Sequence, residues 1–258
     1  MNDKNKISVV INTYNAEQHL EAVLESVKQF DEILVCDMES TDHTLEIAQK
    51  NGCRVVTFPK QGHNIVEAAR EYAIHEAQFD WVLVVDADEI VTNKLRAHLY
   101  DIIQNDDCPD GLFIPRKNYF MGRFMHYFYP DHILRFFRKD RTHWPSIIHC
   151  TPIVNGRVDK IPAQKSELAF EHLANDSIES IIHKTNDYTR NEQERKQEKK
   201  YGIISLFTRP LWRFFRNYVL KLGFKDGVPG LIRTCMDALY QFVLVAKIIE
   251  KQYNSKQK

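Results

Sequence analysis

The sequence has little of what marks fibrous, disordered or disulfide-stabilised proteins. Among 258 residues there are only 9 glycines and 9 prolines, which excludes a collagen-like or low-complexity chain. The 5 cysteines are scattered, and none lies near another at the spacing of a zinc or redox motif. We therefore expect free thiols in a reducing cytoplasm.

An excess of charge and a long apolar run are also missing. The 35 basic and 35 acidic residues give a formal net charge of zero, which argues against nucleic-acid binding through general electrostatics. No stretch reaches the roughly 18 uninterrupted apolar residues of a membrane span. Residues 1–6 lead directly into a strand pattern, so we expect no signal peptide. We predict a cytoplasmic protein, soluble or peripheral on the inner face of the cytoplasmic membrane.

The first hundred residues alternate short apolar runs rich in β-branched residues with segments of helical periodicity. Strands are predicted at 7–11, 32–37, 54–58 and 81–85, and helices follow them up to about residue 104. Asn15 is predicted as the N-cap of the first helix, with Gln18 at its third position. Repeated βα units predict a mostly parallel, Rossmann-like α/β sheet with right-handed crossovers.

The pattern changes after the turn-rich segment 105–110. Strands of mixed direction are predicted at 111–115, 133–137 and 167–170, with an aromatic run at 119–130 between the first two. Helical periodicity dominates from residue 176 onward. We therefore expect a helical C-terminal appendage to the α/β domain.

Polar residues follow the predicted parallel strands, where ligands bind in sheets of this kind. Asp86 and Asp88 come directly after a wholly apolar strand. Two carboxylates held there repel each other and lose solvation, so the pattern predicts a divalent cation, Mn²⁺ or Mg²⁺, shared with substrate phosphates. The alternative is that Asp residues at strand ends serve turns and helix caps, which we favour for Asp37 taken alone.

Three blocks of sequence occur together at residues 7–15, 37–44 and 62–89. The second has the pattern D-x-x-S-T-D-x-T, and the third has the pattern G…AR…D-W-V-L-x-x-D-A-D-E. In composition and order these blocks resemble family 2 of the glycosyltransferases, which have the GT-A fold. The resemblance implies a transferase that uses a nucleotide-diphosphate sugar.

The family resemblance also implies roles for individual residues. Thr13 and Asp37 would contact the uracil and ribose, and Arg70 would lie near the diphosphate. Asp86 would lie near the ribose or sugar, and Asp88 would bind the metal. The whole nucleotide-sugar site implied in this way comprises Thr13, Asn15, Glu17, Asp37, Arg70, Asp86, Ala87 and Asp88.

Segments 118–123, 129–137, 184–189 and 216–227 resemble the lipopolysaccharide core β-glucosyltransferases and their relatives. This resemblance implies transfer of a hexose, glucose from UDP-glucose, onto lipopolysaccharide core or a similar cell-envelope glycan. It divides the chain into a nucleotide-sugar-binding half (1–105), an acceptor-side half (106–175) and a helical region (176–258). Two alternatives stay open: an acceptor that is a lipid-linked, capsular or exopolysaccharide intermediate, and a nucleotide-sugar-binding protein without turnover.

Family 2 enzymes invert the anomeric centre in one displacement, so the acceptor hydroxyl needs one general base. The candidates are Asp131, Glu89 and Glu171, and we favour Asp131 over its alternative role of capping a turn after Pro130.

The chain departs from the subgroup at one position. Relatives commonly have His-Glu after an apolar residue, whereas this chain has Ile148-His149-Cys150. His149 is a candidate metal ligand, and the alternative is a histidine bound to backbone groups.

Two aromatic segments have more than one interpretation. We expect most aromatic residues between 119 and 129 to be packing residues rather than sugar-binding ones. The segment 209–216 mixes basic and aromatic residues, as an interfacial helix on an anionic membrane does. A helix packed on the catalytic domain is the alternative, and we favour membrane contact.

Overall fold

The computed structural model describes residues 5–59, 66–145, 150–173, 177–196 and 201–255. The chain divides into two compact units. The first, called the sheet unit, comprises residues 1–117 and 130–173. The second, called the helical unit, comprises residues 118–129 and 174–258.

The first half of the sheet unit is a series of βα units. Its strands are β1 (Ile7–Thr13), β2 (Glu32–Asp37), β3 (Arg54–Thr57) and β4 (Trp81–Asp86), which pair in parallel in the order β3-β2-β1-β4. Its helices are α1 (Glu17–Val27), α2 (Thr44–Lys50) and α3 (Val66–Glu76). The predicted parallel sheet is confirmed by this pairing, and its strands β1, β2 and β4 are almost wholly buried, whereas β3 lies at the exposed edge.

Between β4 and residue 173 the chain adds mostly antiparallel strands and one helix. The elements are β5 (Glu89–Ile90), α4 (Asn93–Ile103), β6 (Gly111–Phe120), β7 (Arg123–Phe124), β8 (Asp131–Arg138), β9 (Thr142–His143), β10 (Ile153–Val154), β11 (Val158–Lys160) and β12 (Phe170–His172). The sheet continues from β4 through β8, β6 and β12 to β5, while β7, in the helical unit, pairs with the end of β6. Strands β5 and β12 are antiparallel, which sets residues 89–90 beside residues 171–172. Strand β11 is the exception, because it pairs with β6 in parallel.

Two local predictions in the sheet unit are wrong. Residues 166–168 form a turn of 3₁₀ helix with Leu168 buried, so the predicted strand begins only at Phe170. Asn15 is not the N-cap of α1, because that helix begins at Glu17 after Ala16. Asn15 instead has a positive φ of 50° and accepts a hydrogen bond from the backbone N–H of Thr41 at 2.8 Å. Asn tolerates this backbone conformation better than most residues.

The hydrophobic core fills both faces of the sheet. One cluster contains Ile7, Val9 and Ile11 of β1 together with the buried faces of α1 and α4. The opposite cluster contains Val10, Leu34 and Val84 together with α3. Because successive strand residues point to opposite faces, one apolar strand contributes to both clusters. The core therefore fixes the carboxyl ends of β1, β2 and β4 side by side.

The helical unit contains α5 (Ile178–Arg195), α6 (Ser205–Phe215) and α7 (Gly227–Asn254). A π-helical segment (Arg216–Leu220) continues α6, and a 3₁₀ turn (His126–Phe128) belongs to the same unit. Asp226 joins the turn to the start of α7, because its carboxylate accepts the backbone N–H of His126 at 2.8 Å and of Tyr127 at 3.2 Å. In the described part of the chain, no helix has both the length and the apolar composition needed to cross a membrane.

One face of α6 exposes a row of large apolar side chains, here called the apolar stripe. It consists of Ile204, Phe207, Leu211, Phe215 and Val219, all exposed. The spacing of three or four residues places Ile204, Phe207, Leu211 and Phe215 on one side of α6, and Val219 follows in the π-helical segment. Since no residue of α6 itself is buried, this surface is not covered by the unit that carries it.

Candidate active site

The ends of β1 and β2 are joined through the side chain of Asp37. Thr13 Oγ1 donates a hydrogen bond to Asp37 Oδ1 at 2.9 Å, and both residues are buried. Ser40 donates to the same carboxylate through Oγ at 2.6 Å and through its backbone N–H at 2.9 Å. The Asp37 carboxylate thus holds the loop after β2 against β1.

The loops after β1 and β2 are also bonded to each other near the surface. Besides the Asn15–Thr41 bond, the Asn15 backbone N–H donates to Ser40 Oγ at 2.9 Å. Glu17 accepts the backbone N–H of His43 at 3.0 Å and contacts its ring Nδ1 at 2.8 Å. These bonds from His43 lower the pKa of Glu17. The two predicted residues Asn15 and Glu17 therefore shape the loop beside Thr13 and Asp37.

Asp86, at the end of β4, lies between two arginines. Arg70 Nη2 contacts Asp86 Oδ1 at 2.5 Å, and Arg135 Nη2 contacts Oδ2 at 2.6 Å. Burial alone would raise the pKa of Asp86, but the charges of Arg135, Arg70 and Arg116 outweigh it and hold this pKa well below its usual range. Protein guanidiniums therefore offset the charge of Asp86, and Asp88 is the carboxylate of the pair that the family resemblance assigns to the metal.

Arg116 extends this charge cluster toward the acceptor-side residues. Its Nη1 donates to Glu89 at 3.0 Å, and its Nη2 donates to Asp131 Oδ2 at 2.7 Å. It also lies 4.0 Å from Asp86. The cluster as a whole pairs three carboxylates with three guanidiniums: Asp86, Glu89 and Asp131 with Arg70, Arg116 and Arg135.

The buried ring of Trp144 supports two of these arginines. The guanidinium carbons of Arg70 and Arg135 lie 5.0 and 5.4 Å from the ring centre. Cation–π contacts of this kind favour a fixed position for each guanidinium. Sequence reasoning missed both Arg135 and Trp144, since an arginine inside an apolar strand and an isolated tryptophan match no short motif.

Asp88 lies beside a second residue that sequence reasoning missed. Its Oδ2 is 3.3 Å from Nε2 of His172, which the antiparallel pairing of β12 with β5 brings to this edge. Among the described residues there is no group of three or more His, Cys, Asp or Glu side chains that would hold a metal ion alone. His149, the ligand predicted from sequence, lies outside the described residues, as do positions 62–65. His172 follows the apolar pair Ala169-Phe170 and the polar Glu171 at the end of a short strand. Its position at a strand end is the sequence feature that could have identified it as a site residue.

The three candidate bases differ in access to solvent. The Glu89 side chain is fully buried, and it accepts bonds from Arg116 and from the backbone N–H of Asp86. Asp131 exposes 36% of its side chain, and Glu171 exposes 25% while pairing with Lys117 at 2.7 Å. A base must reach the acceptor hydroxyl, so Asp131 and Glu171 fit this requirement and Glu89 does not.

A polar side chain at the same sheet edge has no nitrogen or oxygen partner among the described residues, and its polar neighbour is the Cys36 thiol. Asn12 pairs in register with Cys36 on one side and Asp86 on the other, and both polar atoms of its side-chain amide are buried. A buried amide of this kind normally bonds to protein, water or ligand. Its position between the Asp37 and Asp86 strands makes it a further candidate for donor contact.

Taken together, the structure gathers most of the predicted residues at one sheet edge. Thr13 and Asp37 stand opposite each other in the β1–β2 register, and Asp86 lies in the next strand. Ala87 packs against the apolar core rather than adding a polar group. The arrangement is an acidic and polar strand-end site with an arginine cluster behind it, which fits a nucleotide-diphosphate ligand and a glycosyl-transfer site of the GT-A fold.

Comparison with known proteins agrees with this class. The family model described as glycosyl transferase family 2 matches residues 8–161. An uncharacterized glycosyltransferase of Rickettsia conorii is 31% identical over 266 residues, covering 97% of this chain and 92% of the relative. The chain therefore belongs to family 2 of the glycosyltransferases.

Two further similarities bear on subgroup and fold. The lipopolysaccharide core biosynthesis glycosyltransferase LpsC of Rhizobium meliloti is 26% identical, with 95% of this chain and 92% of that protein covered. The crystal structure of S. aureus TarS 1–349 in complex with UDP has a TM-score of 0.50 at 17% identity and covers 95% of this chain and 92% of TarS 1–349. The predicted GT-A fold is confirmed, and so is a glycosyltransferase activity class.

Proposed function

We propose that this glycosyltransferase is an inverting, metal-dependent enzyme that moves a hexose, glucose from UDP-glucose, onto lipopolysaccharide core or a similar cell-envelope glycan. The observation that carries the proposal is the Asp88–His172 pair next to the arginine-held Asp86. It puts two groups of metal-binding type at the edge where Thr13 and Asp37 lie. Similarity to LpsC supports the envelope-glycan acceptor.

The residues present fit a divalent cation that is shared with the donor. One carboxylate and one imidazole are too few to enclose an ion, but Mg²⁺ and Mn²⁺ in nucleotide sites keep water and phosphate oxygens in their shells. Asp88 and His172 would hold the cation, with the diphosphate completing its coordination. When bound, the cation would neutralise charge that develops on the departing UDP.

The protein groups would divide the remaining work of a single displacement. Asp131 would take the proton of the attacking acceptor hydroxyl, and Arg116 would keep this carboxylate in place through its two bonds to Oδ2, at 3.0 and 2.7 Å. Thr13, Asp37 and Asn12 would position the nucleoside. Asp86, fixed by Arg70 and Arg135, would orient the ribose or the sugar.

The helical unit would bring the enzyme to the membrane that carries its acceptor. The apolar stripe stays exposed in the described part of the chain, and Arg209, Arg213 and Arg216 belong to the same helical stretch. Large apolar side chains together with arginines are the composition of an interfacial helix on anionic lipid. We propose a cytoplasmic enzyme that is peripheral on the inner face of the membrane.

A donor panel tests the proposed function most broadly. The purified protein would be incubated with UDP-glucose, UDP-galactose and GDP-mannose, with lipopolysaccharide fragments as acceptors, and nucleotide release would be measured. We expect release from UDP-glucose that rises when acceptor is added. Release from another donor would reject glucose, and transfer only to lipid-linked or capsular intermediates would reject the acceptor.

A further inference from the structure

The helical unit contains a cavity of about 440 Å³ that the proposed reaction does not use. Its walls come from α5, α6 with its π-helical extension, α7 and the 3₁₀ turn at 126–128. All of its lining residues belong to the helical unit. A cavity of this size lies in the range of small-molecule sites.

The walls of this cavity are polar at positions that are usually apolar. On α5, residues 181, 184, 185 and 188 line it, and on α7, residues 233, 236, 237 and 240 do so. Both sets follow the spacing of a core-facing helical stripe, which normally carries aliphatic side chains. Here the two stripes include Lys184, Tyr188, Arg233, Asp237 and Tyr240.

Cations outnumber carboxylates in the lining. Four basic residues line the cavity, namely Lys184, Arg213, Lys221 and Arg233, whereas Asp237 is its one acidic lining residue among those described. Asp237 is engaged by Asn217 at 2.7 Å and by the Tyr127 hydroxyl at 3.1 Å. Burial raises the pKa of Asp237, against the opposing charges of Arg233 and Arg213.

The basic residues have different roles in the cavity. Arg233 belongs to the wall, because its guanidinium lies 5.1 Å from the ring centre of Phe128 and its Nε is 3.7 Å from Asp237. Arg213 and Lys221 lie on the opposite wall, at the end of α6 and just after the π-helical segment. π-Helical segments change the register of a helix and are frequent at functional sites.

We propose that this cavity is a binding site for a phosphoryl group, with Arg213 and Lys221 as its principal ligands. A phosphate monoester carries about two negative charges and three acceptor oxygens, which matches an arginine fork and a lysine that line the same cavity. Tyr127, Tyr188 and Tyr240 also line the cavity and would contact the group that bears the phosphate. The phosphate would come from a phosphorylated sugar or from a lipid head group.

Binding of two probes to the full-length protein tests this site and separates the two sources. Glucose 1-phosphate is titrated calorimetrically in the presence of saturating UDP, so that the donor site is occupied. Vesicles of phosphatidylcholine with or without phosphatidic acid are tested by sedimentation. UDP is titrated in parallel, and failure of UDP to bind would count against the donor site without bearing on the cavity.

Two variants and one control decide the outcome. Arg213→Gln and Lys221→Gln should each weaken binding of the responding probe about tenfold or more, because each removes a charge-assisted contact. Lys225→Gln removes an equal charge at an exposed position that does not line the cavity, and it should bind as the wild type does.

A response of glucose 1-phosphate that Lys221→Gln weakens assigns the site to a phosphorylated sugar. Because the apolar stripe and Arg213 are themselves proposed to contact anionic lipid, acidic vesicles assign the site to a lipid head group only if Lys221→Gln weakens their binding and Lys225→Gln does not. Thermal unfolding checks that the variants fold, and the exposed Lys221 keeps the test valid if Arg213→Gln is unstable. Binding that neither variant changes, or no binding of either probe, would overturn the proposal.

Discussion

The sheet unit pairs the carboxylates of its site with arginines, whereas the described part of the helical unit has more basic than acidic residues around a cavity and exposes large apolar side chains. In the first, Asp86, Glu89 and Asp131 meet the guanidiniums of three arginines. In the second, basic residues outnumber Asp237 in the cavity lining, and Phe207 and Leu211 are exposed. The difference indicates that the sheet unit is preorganised for a reaction, while the surfaces of the helical unit require partners.

The largest expected effect concerns Asp131, the proposed base, which pairs with Arg116 in the charge cluster. Asp131→Asn should lower the turnover number by roughly 10²–10⁴-fold, because an amide cannot accept the hydroxyl proton. The affinity for the nucleotide sugar should stay nearly unchanged. Steady-state UDP release together with calorimetric UDP-sugar binding measures both quantities.

The control for this variant is Asp140→Asn. The Asp140 carboxylate also pairs with an arginine, Arg138, at 3.0 Å, but it is half exposed and lies outside the charge cluster. It should behave as the wild type. Retained turnover in Asp131→Asn would move the base to Glu171, which Glu171→Gln then tests.

A second prediction concerns the stability of the matched cluster. Asp86→Asn leaves Arg70 and Arg135 facing a neutral group in a largely buried place, and it should lower the free energy of unfolding by about 3 kcal/mol. Urea denaturation measures this quantity. Asp107→Asn removes a nearly fully exposed partner of Arg157, and it should cost less than about 1 kcal/mol. Equal losses of unfolding free energy in the two variants would show that the buried cluster contributes no more to stability than an exposed ion pair does.

A third prediction tests whether the exposed apolar surface of the helical unit contacts lipid. Phe207→Ser, Leu211→Ser and Phe215→Ser together should weaken sedimentation with anionic vesicles at least tenfold, because each buried aromatic or leucine side chain contributes about 2 kcal/mol. Ile153→Ser, at an exposed position of the sheet unit, should have no effect. Unchanged sedimentation, or a change in oligomeric state in its place, would assign the stripe to another partner.

The smallest expected effect is the pH dependence of Glu89. Burial and the adjacent Asp86 charge raise its pKa, against the opposing charges of Arg135 and Arg116. The native state therefore keeps a proton that the unfolded state releases, so the Glu89 contribution to stability is lost as pH rises above the ordinary glutamate pKa. The stability difference between the wild type and Glu89→Gln should shift in favour of the variant as pH rises from about 4 to about 7. A constant difference in urea denaturation at the two pH values would contradict this sign.

Sequence reasoning predicted the parts of the fold that depend on local pattern. The apolar strands and the polar residues that end them determined the parallel sheet and the neighbourhood of Thr13, Asp37 and Asp86. The prediction failed for contacts between residues distant in the chain. Arg135 reaches Asp86 across 49 positions, and His172 reaches Asp88 only through the pairing of two short strands. No spacing along the chain encodes such contacts, so the source of the Asp86 counter-charge and the neighbour of Asp88 needed the structure.

The same distinction applies to the helical unit. The basic and aromatic composition of residues 209–216 was visible in the sequence, and the structure adds which side chains share a face. The phosphoryl cavity was not predicted, because its lining comes from three helices and a turn that lie far apart in the chain.

The measurement that tests the central claim most directly is the metal dependence of UDP release in variants of the Asp88–His172 pair. With the wild type, release should require Mn²⁺ or Mg²⁺ and cease in chelator. Asp88→Asn and His172→Gln should each raise the metal concentration for half-maximal release by at least roughly tenfold. The control is His143→Gln, at an exposed histidine paired with Glu71, and it should match the wild type. Turnover that persists in chelator, or identical metal dependence in all variants, would contradict the account.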